Sequence, residues 1–188
     1  MGKYLFFIIL NIIIFQTNII EAQIISRWNQ DSLFYFYSPV DENLTAQKTS
    51  FVHSMTKEEI LDSITSFLSS TYFASKNEYY KNKAKIEIEL DSLITINTQN
   101  RVYGIAVINI SDPDEICLGY YFQGTSGGYS TFLTLVANLM QPQKKIPLLD
   151  GIIFLYNEKE LKEMDHINLE GLISEGEIDN RIKKAIKQ

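Results

Sequence analysis

Lys85-Ile86-Glu87-Ile88-Glu89-Leu90 alternates charged and apolar residues without a break. Successive side chains of a strand point to opposite faces, so this stretch has a dry face of Ile86, Ile88 and Leu90 and a wet face of Lys85, Glu87 and Glu89. Asp91-Ser92 interrupts the pattern and Leu93-Ile94-Thr95-Ile96 resumes it. Thr98-Gln99-Asn100 has turn chemistry. A second strand is expected over Arg101 to Ile110, where Val102, Ile105, Val107, Ile108 and Ile110 are too continuous for a half-wet edge. Ser111-Asp112-Pro113-Asp114 is a further turn, because Pro presets φ and Asp bonds its neighbouring backbone. A third strand is expected over Glu115 to Gln123. Short connections favour antiparallel neighbours, so residues 85–123 read as a three-stranded meander.

Helical periodicity flanks this sheet. Thr56-Lys57-Glu58-Glu59 is a capping box, with Met55 and Ile60 placed as a hydrophobic staple. Ile60, Leu61, Ile64, Phe67 and Leu68 then share one helical face, which predicts a helix over 57–70. Phe132, Leu133, Leu135, Val136, Leu139 and Met140 recur at the same spacing, and Pro142 stops that helix. Ile152 to Tyr156 is a short buried strand. Phe34 and Phe36 alternate with Tyr35 and Tyr37, as a strand with one drier face would. Glu177 to Lys187 has the pattern of a short amphipathic helix through Ile178, Ile182 and Ile186. The expected class is α+β, an antiparallel β-meander sheet packed on one face by two principal α-helices near 57–70 and 126–141.

Met1-Gly2-Lys3 precedes an apolar run, Tyr4 to Phe15, broken only by Asn11. A polar stretch then leads to Ala22. This is the layout of an export signal, and the run is short of the roughly 20 apolar residues that a spanning helix needs. The expected organisation is a signal peptide over 1–22 and one domain over 23–188, with no membrane span left after cleavage.

A formal charge of −6 argues against nucleic acid as a partner. The one cysteine, Cys117, rules out an internal disulfide framework and is expected to be a small buried hydrophobe. No spacing of His or Cys suits a metal, and no cofactor is expected.

The best local candidate for a site is Gly124-Thr125-Ser126-Gly127-Gly128. It joins an expected strand to an expected helix, and backbone N–H groups at a helix start attract anions while glycine lets a ligand come close. The same five residues fit Gly-x-Ser-x-Gly, the nucleophile-elbow pattern. Ser126, then Asp150 or Asp165, then His166 follow one another in the order that an α/β-hydrolase triad takes. Against this, the preceding strands read as a meander, and the chain is short for that fold. Asn43-Leu44-Thr45 and Asn109-Ile110-Ser111 match the glycosylation acceptor. Tyrosines at 35, 37, 72, 79, 80, 120, 121 and 129 suggest a binding face.

With no catalytic set in view, the functional expectation rests on the address. It is an exported binding or accessory protein, acting through protein contacts at the cell envelope. The alternatives are a small secreted serine hydrolase using Ser126, and an anion or small-ligand binder at residues 124–128.

Overall fold

The computed structural model describes residues 33–39, 43–48, 55–74, 85–115, 118–122, 124–161 and 169–174. The leader, Tyr79, Tyr80, Cys117, Asp165, His166 and the segment 177–187 lie outside these residues.

The chain forms an α+β domain. A hairpin of β1 (Leu33–Ser38) and β2 (Asn43–Lys48) comes first. Then follow α1 (Lys57–Thr71), β3 (Glu87–Asn97), β4 (Val102–Ser111), α2 (Leu118–Tyr121), α3 (Thr125–Met140), β5 (Gly151–Tyr156), β6 (Lys159–Glu160) and β7 (Leu172–Ser174). The main sheet runs β3-β4-β5-β6, and β7 also pairs with β5. Among the described residues only β4 and β5 are parallel; the other pairs are antiparallel.

The capping box forms as its residues imply. Glu59 N–H donates to Thr56 Oγ1 at 3.2 Å, and Thr56 N–H donates to Glu59 Oε2 at 2.7 Å. Ile60, Leu61, Ile64 and Leu68 of α1 are buried. They face Ile88 on β3 and Ala106, Ile108 and Ile110 on β4, with Ile152 and Phe154 beside them on β5. Both long helices lie on this side of the sheet and touch each other. The tyrosines divide: Tyr37 is buried, Tyr72 and Tyr121 pack against the core, and Tyr120 and Tyr129 are exposed.

The third strand of the expected meander is not there. Residues 118–121 form a single helical turn, and β5 takes the position beside β4. Gly151-Ile152-Ile153-Phe154-Leu155-Tyr156 suits that central position because it is apolar on both faces. The 118–122 segment is instead tied down at the helices. Thr131 Oγ1 donates to Tyr121 C=O at 2.5 Å, Tyr121 Oη donates to Phe73 C=O at 3.1 Å, and Phe122 is buried. A parallel neighbour needs a crossover connection, which α3 supplies.

A β-bulge shifts the β3–β4 register between Leu90 and Ser92. The interruption at Asp91-Ser92 is therefore one extra residue inside a continuous strand. It lets Leu93, opposite Ala106, return to the core face that Ile88 and Leu90 occupy further back.

Candidate functional site

Gly124 to Gly128 do not form a separate loop. Gly124 has φ +76°, and α3 begins at the next residue, so Thr125, Ser126, Gly127 and Gly128 make its first turn. Gly128 N–H bonds Gly124 C=O at 3.0 Å. The N-cap is Gly124, which has no side chain to cap with, and a Cβ at Gly124 or Gly127 would point into open space.

Asp150 lies beyond the other end of α3. Leu148 N–H bonds Met140 C=O at 2.9 Å, which holds the connection against the last turn of the helix. From Ser126 to Met140 the helix spans about 21 Å at 1.5 Å per residue. The fold therefore does not bring Ser126 and Asp150 together.

Asp150 has partners of its own. Its Oδ2 accepts from Gly104 N–H at 2.8 Å, its N–H donates to Gly104 C=O at 2.9 Å, and its Oδ1 pairs with Arg101. The Arg101 guanidinium also stands 4.8 Å from the centre of the Tyr103 ring. Lys57 Nζ lies close over Gly104, 3.0 Å from where a Cβ would be. Burial holds the Lys57 ammonium below its ordinary pKa, and Asp150 and then Glu58 oppose that shift. Asp150 thus joins the start of β5 to β4 and carries charge facing two cations.

The two acceptor motifs differ in their surroundings. Asn109 is buried, and its Oδ1 accepts from Glu158 N–H at 2.9 Å. This ties β4 to the turn after β5. Asn43 opens β2.

A surface emerges on the side of the sheet away from the helices. Alternation puts Ile94 and Ile96 of β3, Tyr103, Ile105 and Val107 of β4, and Ile153 of β5 on this face. They are neighbours across the strands: Ile96 opposite Tyr103, Ile94 opposite Ile105, and Val107 opposite Ile153. Leu172 of β7 continues the row beside Ile153. Ile94, Ile96, Tyr103 and Leu172 are 42%, 45%, 37% and 45% exposed. The Arg101 guanidinium stands over the Tyr103 ring, and all four side chains remain more than a third exposed. Contiguous exposed apolar side chains on a rigid sheet mark interaction sites far more often than scattered ones do. Glu87 and Glu89 border the patch at the start of β3.

Sequence reasoning passed over this face, although Leu93-Ile94-Thr95-Ile96 was on view. A signal was present: apolar residues alternate on both sides of that segment, whereas Lys85 to Leu90 keeps one side charged.

Comparison with known protein families, characterised proteins and solved structures finds no match. Among the described residues no group of His, Cys, Asp or Glu is arranged to hold a metal ion, and no helix is long and apolar enough to cross a membrane.

Proposed function

We propose that this is an exported binding or accessory protein that works through protein–protein contacts at the cell envelope. The observation that carries the binding role is the open apolar face formed by Ile94, Ile96, Tyr103 and Leu172. The envelope address rests on the apolar N-terminal run from Tyr4 to Phe15. A docked partner would remove these side chains from water, at about 25 cal/mol for each Å² of apolar surface covered.

A photoreactive residue at Tyr103 or Leu172, in protein expressed in its own cells, tests the surface. The expected result is an adduct with a different envelope protein. Tyr103→Lys together with Leu172→Lys is expected to abolish co-purification of that partner without changing the fold. Co-purification that survives both changes would remove the open face from consideration.

A second reading is an anion or small-ligand site at the start of α3. The glycine N-cap and the open space at Gly127 favour it. Titration with inorganic phosphate and with carboxylates tests it, and a melting temperature unmoved by any of them counts against it.

A further inference from the structure

The edge of the sheet beside the open face carries a second inference. β3 is an edge strand, and among the described residues no strand lies along its outer side. Edge strands ordinarily carry charge, proline or a bulge, because unpaired N–H and C=O groups recruit other strands. The first part of β3 has such guards in Glu87, Glu89, Asp91 and the bulge after Leu90. From Ser92 to Thr98 there is no charge, no proline and no further register shift.

The hairpin decides which main-chain groups face outward. Thr98 N–H donates to Arg101 C=O at 2.9 Å, so this is a bonded pair. Bonded and non-bonded pairs alternate along an antiparallel ladder. Ile96 (opposite Tyr103) and Ile94 (opposite Ile105) therefore spend their main-chain groups on β4. Leu93, Thr95 and Asn97 turn theirs toward the bare edge.

The midpoint of the bare stretch is Thr95, an outward-facing residue. We infer that β3 pairs with β3 of a second copy of this chain, antiparallel, about a two-fold axis at Thr95. In this register Ile94 lies opposite the partner's Ile96, so both isoleucines gain a branched cross-strand neighbour on the open face. Leu93 meets Asn97, and Ser92 meets Thr98. The carboxylates of Glu87, Glu89 and Asp91 fall outside the paired segment, at opposite ends of the interface in the two copies. Parallel pairing in register would stack them against one another. An axis perpendicular to the sheet also turns both open faces to the same side, which makes one continuous platform across two copies. The dimer stands on the edge alone and survives if the open face has no partner.

Sedimentation equilibrium of the purified chain over a wide concentration range tests the inference. The parent protein is expected to have twice the mass of one chain. Thr95→Lys, which sets two ammonium groups together on the axis, is expected to halve that mass with an unchanged circular-dichroism spectrum. Thr95→Cys is expected to form a disulfide-linked dimer on mild oxidation, since bonded antiparallel pairs hold their Cα atoms about 5.5 Å apart, within disulfide range. This second variant leaves the edge uncharged and keeps the test open if Thr95→Lys does not fold. A parent that stays monomeric throughout, a dimer that folded Thr95→Lys leaves intact, or a Thr95→Cys protein that links no more than the parent would each overturn the pairing.

Discussion

Asn138 on α3 holds the backbone of Tyr37 on β1 through both its N–H and its C=O. The Asn138 amide accepts Tyr37 N–H at 3.0 Å and donates to Tyr37 C=O at 3.1 Å. One turn further on, Gln141 does the same for Tyr35, with both bonds at 2.8 Å. Lys144 Nζ then reaches Leu33 C=O at 2.7 Å and stands 4.0 Å from the Phe34 ring centre. Asn138 in the last turn of α3, Gln141 at its C-cap and Lys144 in the turn beyond it advance along the chain as 37, 35 and 33 recede along the strand. Side chains from the end of α3 and the turn after it thereby stand in for a neighbouring strand along this edge of the β1–β2 hairpin.

Asn138→Leu is expected to be strongly destabilising. It leaves the Tyr37 N–H and C=O buried without their partner, and each such group costs about 1–3 kcal/mol. Chemical denaturation gives the total. Hydrogen exchange at the Tyr37 amide, faster than at Ile108, would locate the loss in the hairpin, and uniform exchange would contradict this account.

Two glycines in neighbouring strands are expected to respond differently to alanine. At Gly151 a Cβ would come within 2.7 Å of Leu172 Cδ1 and 3.2 Å of Ile173 C=O, so the Leu172 side chain must turn aside and the β7 backbone must give by a few tenths of an ångström. A loss of about 1–3 kcal/mol is expected, the range for overpacking. At Gly104 the obstacle is Lys57 Nζ at 3.0 Å, the far end of a flexible side chain. Gly104→Ala is expected to cost less than Gly151→Ala, and equal losses in thermal melts would contradict this.

Lys57 gives a pH dependence of defined sign. Burial lowers its pKa in the folded state below the unfolded value of 10.5. Between the two values the unfolded chain binds more protons, so stability rises with pH through that window. The cost of burying the ammonium is present in full below the folded pKa and relieved as pH approaches 10.5. Lys57→Met is expected to flatten this alkaline rise, read as the denaturation midpoint against pH. A rise of the same slope in the variant would assign it to other groups.

Thr56→Ala is expected to cost about 1 kcal/mol, since it removes one of the two bonds of the capping box. Thr56→Ser keeps the hydroxyl and should recover most of that loss in the same denaturation experiment.

Much of this architecture was legible in the residues. The box at Thr56, the periodicity of both long helices and the alternation at Lys85 are local patterns, and local patterns survive folding when tertiary contacts agree with them. The strand expected over Glu115 to Gln123 failed because tertiary competition decided it. β5 offered β4 a neighbour apolar on both faces, and residues 118–122 were drawn to α3. The polar residues at the end of α3 and just after it went unread because Asn138, Gln141 and Lys144 have meaning only beside a strand about a hundred residues earlier. The candidate set of Ser126 and Asp150 was proposed from chain order, and order carries no information about the length of helix between them.

By itself the sequence determined the elements whose causes lie within a few residues, namely caps, helical stripes, alternating strands and the glycine that starts α3. It also determined the neutral stretch from Ser92 to Thr98, since charge is a property of composition. Only the tertiary structure decided which strand stands beside β4, what holds the first hairpin, and which face of the sheet is left open. These depend on contacts between segments far apart in the chain, and their free energies exist only once the segments have met.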